Sequence, residues 1–227
     1  IAHIKKDLNE GLGQAIIDGY KKAYEQAFDI AVVMAGDAQM DPGDLKELIH
    51  PIASGRVLYA KGNRLLSPGV FGLMPKYRFI GNSILTFLTK FATGYFHLMD
   101  PQCGYTAIAR SAIGYLNLES PHKGYGYNAC LLYQLNLHNI KVLDVKVKPV
   151  YGEETSGINL LSYIPTVGWL LIVTFFRRIW LKYFLLDFHP AGLCYFLGSL
   201  SGLLALQTGL FIALERFTTL GPLPTTL

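Results

Sequence analysis

Cysteine is scarce: Cys103, Cys130 and Cys194 are the only three in 227 residues, widely spaced and odd in number. That excludes a disulfide framework and a Cys-x-x-Cys zinc site, and makes a reducing compartment the expectation. The six histidines show no paired ligand spacing either. Charge is thin: 16% of residues are Asp, Glu, Lys or Arg, and a net charge of +4 is too mild for a nucleic-acid binder. There is no initiator Met, no signal peptide, no internal repeat and no low-complexity segment. The abrupt start at "IAHIKKDLNEG" and the abrupt end at "GPLPTTL" are those expected of a fragment of a longer protein.

What is abundant is apolar surface, 51% of all residues and concentrated in the last third. The length suits one domain with an appendage, or two small domains. A helix is predicted from near Gly13, with Ile16, Tyr20, Ala23, Tyr24 and Ala27 on one face. "DIAVVM" (29–34) reads as a strand covered on both faces. "DPGDLKELIHPIASG" reads as a helix with Asp41 as N-cap and Pro42 at its first position. Strands follow at 56–64 and 106–110, a loop at 65–76, and helices at 77–93 and 126–138. "KVLDVKVKPV" alternates, with Leu143, Val145 and Val147 on one face and Asp144, Lys146 and Lys148 on the other. Strands alternating with helices imply an α/β layered domain over residues 1–157.

After Gly157 the character changes. Residues 158–189 are apolar but carry Trp169, Arg177, Arg178, Trp180 and Lys182, the pattern of an amphipathic helix at a bilayer surface. Residues 190–216 read as a transmembrane helix. Its uncharged core, "AGLCYFLGSLSGLLALQTGLFIAL", is about 36 Å long as a helix, against a hydrocarbon core of about 30 Å. The basic cluster before it places the α/β domain on the cytoplasmic side. Residues 217–227 read as a loop toward a second membrane helix.

"MAGDAQMDP" (34–42) ends the first strand with Asp37, Gln39 and Asp41. Ligands of open α/β sheets bind beyond the carboxyl ends of strands. Side chains at i and i+2 of an extended segment point the same way, so Asp37 and Gln39 offer two hard oxygens to Mg²⁺ or Mn²⁺ beside a diphosphate.

This stretch resembles the Asp-x-Asp-x-Gln-x-x-Pro motif of family 2 glycosyltransferases, in the branch of dolichol-phosphate mannose synthases and polyprenyl-phosphate sugar transferases. Asp37 and Gln39 match the second Asp and the Gln; Ala35 stands where the first Asp would be. The resemblance implies a GT-A-like, Rossmann-like domain lacking its N-terminal nucleotide-binding strands. "LNEGLGQAI" resembles the family's glycine-rich turn, and implies donor binding by Asn9, Gly11 and Gly13. "AKGNR" resembles a Gly-Ser-Arg element and puts Arg64 near the donor. "RFIGN" resembles an Arg-x-x-x-Ser/Asn element, with Arg78 and Asn82 one turn apart to grip an acceptor phosphate. "DPQCGYTAIAR" resembles an Asp-x-x-Ser-Gly-Phe segment, with Asp100 lining the pocket and Cys103 replacing the Ser. Arg177 or Arg178 would lean toward the diphosphate, or equally anchor lipid headgroups.

The implied reaction transfers a sugar from a nucleotide-diphosphate donor to a polyprenyl phosphate, with inversion, at a bilayer surface. The resemblance assigns catalysis to Asp37, Arg78 and Asp100, and leaves a homo-oligomer open. Two other readings compete. A processive polysaccharide synthase would carry a Gln-x-x-Arg-Trp segment, of which Arg177–Trp180 is a distant echo. A non-catalytic membrane adaptor that kept the fold would account for Ala35 and Cys103.

Overall fold

The computed structural model describes residues 8–67, 76–119, 124, 126–148, 150 and 160–220, with side chains for all of these except 76–80, 160–164, 217 and 219–220. Most of the loop expected at 65–76, and the terminal loop from 221 onward, lie outside the described residues. The chain divides into two compact units, Ile1–Arg178 and Ile179–Leu227.

The first unit is built on a mixed sheet of β1 (Ile30–Val33), β2 (Tyr59–Asn63), β3 (Thr106–Ala109) and β4 (Val142–Lys146), in the order β1-β3-β2-β4. β3 runs antiparallel to both neighbours, with Thr106 opposite Val33 and Lys61, while β2 and β4 are parallel, with Ala60 opposite Leu143. The carboxyl ends of β1, β2 and β4 and the amino end of β3 therefore share one edge.

Side-chain alternation sorts the sheet into two faces. Tyr59, Ile108 and Val142 pack with Ile16 and Tyr20 of α1 (Leu12–Glu25) and with Leu132 and Leu135 of α5 (Tyr127–Leu137). Ala60, Ala107, Ala109, Leu143 and Val145 pack on the other side with Leu48 and Ile52 of α2 (Leu45–Ala53). α2 is entered through a 3₁₀ turn, Pro42–Asp44, where the Asp41 carboxylate accepts from the Gly43 amide at 2.8 Å, the expected cap. Leu132 and Leu135 have no exposed surface, so each contributes about 2 kcal/mol of hydrophobic stabilisation.

Two further helices, α3 (Lys76–Thr93) and α6 (Leu160–Trp180), meet α5, which is buried along nearly its whole length. Ala92, Ala129, Val167 and Leu171 form their common cluster, and a single turn, α4 (Arg110–Ile113), follows β3. The expected boundary at 157/158 lies outside the described residues, and the first compact unit runs on to Arg178. One stripe of α6 is core, while Trp169, Ile172, Phe176 and Trp180 are exposed on the opposite stripe.

The second unit opens with a π turn, Leu181–Leu186, and continues as α7 (Pro190–Leu220). Over Pro190–Arg216 the mean hydropathy reaches 1.7 and none of the most apolar stretch is buried against protein. A soluble core helix of this composition would be covered; this one is long and apolar enough to cross a membrane.

Candidate active site

The shared sheet edge gathers four segments: 34–41 after β1, 64–67 after β2, 99–105 before β3, and 147–148 with Val150 after β4. Tyr105 Oη donates to the Asp41 carbonyl at 3.3 Å, the Asp44 carboxylate accepts from the Lys148 amide at 2.6 Å, and Val150 N donates to the Gln39 carbonyl at 3.3 Å. These bonds cross between segments and knit the edge together.

Of the residues singled out from sequence, Arg64 and Asp100 come into direct contact. Arg64 Nε donates to Asp100 Oδ2 at 2.8 Å and Nη2 to Oδ1 at 3.0 Å, a fork-on-fork pair reinforced by the Arg64 amide at 3.3 Å. Asp100 is buried and Arg64 half-buried. The pair walls a cavity of about 280 Å³ with Asn82, Phe87 and Lys90 of α3 and with Gln102. A smaller hollow of about 40 Å³ adjoins it, lined by Gln39, Cys103 and Lys148, and Arg64 lines both. Arg78 lies in the first turn of α3, one turn before Asn82, and its side chain is outside the described residues. A larger cavity, about 470 Å³, opens at the opposite sheet edge between Arg56 and Lys141 and includes none of the expected site residues.

The acidic turn departs from expectation in conformation. Residues 36–38 form a turn with Ala38 at φ +58°, so Asp37 and Gln39 are not alternate positions of an extended segment. Asp37 Oδ1 instead accepts from the Gln39 amide at 3.1 Å, closing an Asx turn on the surface. Met40 anchors the turn from below, its sulfur accepting from the Ala35 amide at 3.2 Å. Among the described residues no three His, Cys, Asp or Glu side chains gather into a metal cluster. The donor set, one carboxylate and one amide oxygen, suits a hard divalent cation that takes its remaining ligands from diphosphate and water.

The glycine-rich turn forms as read. Gly11 caps α1 at φ +92°, where a Cβ is strained, and Asn9 Oδ1 accepts from the Gly11 amide at 3.0 Å. Gly13 is buried in the first turn of the helix.

Arg178 requires a correction. It is buried, and its guanidinium donates from Nε to the Ala92 carbonyl and from Nη2 to the Phe91 carbonyl, each at 3.1 Å. It thereby satisfies the last carbonyls of α3, groups with no partner inside the helix, and reaches neither diphosphate nor lipid headgroups. Gly94 completes this cap at φ +81°; a Cβ there would sit 2.8 Å from Arg178 Nη1. Arg177, its neighbour, is exposed.

Beyond the sequence reading, three buried polar residues, Lys61, Asn63 and Asn128, and the half-buried Asp144 lie near the Arg64–Asp100 pair. Lys61, in the middle of β2, has no exposed surface, and its Nζ donates to the Cys103 carbonyl and to Asn128 Oδ1 at 3.4 Å. Asn63 Nδ2 donates to Asp144 Oδ2 at 2.8 Å, and the Met99 amide donates to the same oxygen at 2.7 Å. Burial pulls the Lys61 ammonium below its ordinary range and pushes the Asp144 carboxyl above its own. Burying a cation in a sheet core costs several kcal/mol relative to an apolar residue. The sequence signal was present: "YAKGN" puts a lysine where both strand faces are covered.

Residues 1–116 match the family model described as glycosyl transferase family 2. The UDP-N-acetylglucosamine–dolichyl-phosphate N-acetylglucosaminyltransferase of Methanococcus voltae is 33% identical over 181 residues, 79% of this chain and 68% of the relative. An uncharacterized protein of Methanocaldococcus jannaschii is 28% identical over 157 residues, 68% of this chain and 64% of that protein. In fold, the chain is similar to glucosyl-3-phosphoglycerate synthase from Mycobacterium tuberculosis in complex with Mn²⁺, UDP-glucose and phosphoglyceric acid. The TM-score is 0.52 at 16% identity, covering 78% of this chain and 56% of that one. The chain therefore spans about two thirds of the length of these curated relatives and just over half of that structure. With a GT-A-like fold, a family model matched over half its length and a relative one-third identical over most of it, the chain is a glycosyltransferase and belongs to glycosyl transferase family 2.

Proposed function

We propose that this chain carries the acceptor and metal sites of an enzyme that moves one sugar from a nucleotide-diphosphate donor to a polyprenyl phosphate at a membrane. The observation that carries the reading is the cavity that the Arg64–Asp100 pair, with its buried carboxylate, lines together with Asn82 and Lys90 of α3. It is polar and cationic at one end and apolar at Phe87 and Met99, the mixture an amphiphilic phosphate needs. The donor sets of the Methanococcus relative and of the mycobacterial synthase, both UDP-sugars, support a UDP-sugar here.

The chemistry asks for little base catalysis. A phosphate monoester, with a second pKa of about 6, is already mostly ionised near neutrality and is its own nucleophile. Lys90 and Asn82, with Arg78 one turn before, hold that phosphate. Asp100, fixed by Arg64, faces the sugar and sets the line of attack. Asp37 and Gln39 are the residues that would hold Mg²⁺ or Mn²⁺, and such a cation, when bound, supplies positive charge against the leaving diphosphate. A single displacement inverts the anomeric centre. The α7 helix anchors the enzyme in the bilayer, with the α/β unit on the cytoplasmic side and the exposed apolar stripe of α6 at the surface.

The test uses the full-length protein in membranes, supplied with UDP-[¹⁴C]N-acetylglucosamine or UDP-[¹⁴C]glucose and dolichyl phosphate. The expected product is an acid-labile lipid carrying one sugar per phosphate, formed only with a divalent cation. A sugar polymer would favour a processive synthase, and no lipid-linked label with either donor would overturn the reading.

A further inference from the structure

The turn 99–103 carries Asp100 and Gln102 into the cavity, and it is tied down from four directions. Arg64 grips Asp100. Asp144 accepts from the Met99 amide, and Gln102 Nε2 donates to Thr89 Oγ1 of α3 at 3.1 Å. The fourth tie is Lys61, whose ammonium meets the Cys103 carbonyl from inside the sheet. Among the described residues no carboxylate lies within ion-pair distance of Lys61, so its charge is met by a carbonyl and an amide oxygen. For stability alone, an apolar side chain would fill this position more cheaply, since β2 is covered on both faces. Lysine has the reach to cross from the strand to the turn and a donor to spend there.

We infer that Lys61 is a positioning residue for sugar transfer: it acts through the Cys103 carbonyl and Asn128 to hold the 100–103 turn, and so holds Asp100 at the reacting sugar. This rests on the proposed transfer reaction for its catalytic consequence. The anchoring of the turn stands on geometry alone, and Cys103 supplies a way to read it. Its thiol is 3% exposed and packs over Gly62, against the exposed Cys194 in the same chain.

The experiment compares wild type with Lys61→Met in the full chain, in detergent, using iodoacetamide and peptide mass spectrometry, with Cys194 as internal reference. Alkylation of Cys103 should be about tenfold faster in the variant, with cooperative melting retained. Transfer from UDP-N-acetylglucosamine to dolichyl phosphate should lose about thirtyfold in kcat, while KM for the donor stays within about twofold. A merely structural role lowers the folded fraction, raises Cys103 alkylation only in proportion to the unfolded population read from melting, and leaves kcat per folded molecule and KM unchanged. If Cys103 reactivity and kcat both stay within about twofold of wild type, the inference is overturned. If Lys61→Met does not melt cooperatively, Asn128→Ala takes its place: about threefold faster Cys103 alkylation supports the role, and an unchanged rate overturns it. If wild type transfers no sugar at all, the transfer reading fails, and the Cys103 rate in Lys61→Met alone decides whether Lys61 anchors the turn.

Discussion

Two acidic turns stand at one edge of the sheet and are held in opposite ways. The turn at 99–103 is largely buried beyond Met99, and its carboxylate is gripped by an arginine fork, with ties to β2, β4 and α3. The turn at 36–39 lies on the surface and, among the described residues, its carboxylate bonds only to the next amide but one. The first is organised before any ligand arrives. The second, in the proposed reaction, takes its final shape around diphosphate and cation. In the proposed reaction, the half of the site that aligns attack is rigid, and the half that manages leaving-group charge is adaptable.

The sharpest way to break this contrast is at Asp100. Asp100→Asn keeps the volume but loses the charge held by Arg64, and should lower kcat/KM about a thousandfold. Asp100→Ala, which strands the arginine, should also cost about 3 kcal/mol of stability, read from the melting transition. Asp37→Ala should behave differently: transfer falls about a hundredfold, with a raised requirement for Mn²⁺, while stability shifts by less than about 0.5 kcal/mol. Comparable losses of stability at the two positions would end the distinction.

Gly94→Ala probes the wall behind the rigid turn. It forces a Cβ into the left-handed region against Arg178, and should cost about 2 kcal/mol in unfolding. The smallest effect lies at Asp144. Burial holds its carboxyl above 3.8. The folded chain therefore binds that proton more tightly than the unfolded chain, and the resulting stability is full below 3.8 and is lost as pH rises through the raised value. Asp144→Asn removes this dependence, so its melting temperature relative to wild type should climb as pH rises from about 4 to 7. A constant difference would show that Asp144 does not titrate in that window.

Much of this architecture is legible in the sequence, for reasons of period and capping. Apolar runs and alternation mark the strands, Asp41–Pro42 marks the start of its helix, and the long uncharged run marks α7. Local conformation at 36–39 was not legible, because an Asx turn and an extended segment suit the same residues until Ala38 takes a positive φ. Arg178 was misplaced although a signal existed. Val167, Leu171, Thr174 and Arg178 follow one another at four- and three-residue steps along the buried stripe of α6. Charge argued for the surface, but the open carbonyls of α3 offered a better partner. Lys61 was harder, since its partners lie 42 and 67 residues away and only the fold brings them together.

Gly62 has a consequence for anyone reading a mutational map of this protein. A methyl group at that position would sit 3.0 Å from Val147 Cγ2, 3.1 Å from Cys103 Sγ and 3.1 Å from the Tyr105 backbone oxygen. Even alanine therefore requires Val147, Cys103 and the Tyr105 backbone to give by a few tenths of an ångström. Position 62 would score as intolerant as any ligand-touching residue in a saturation screen, and would do so without ever meeting a substrate.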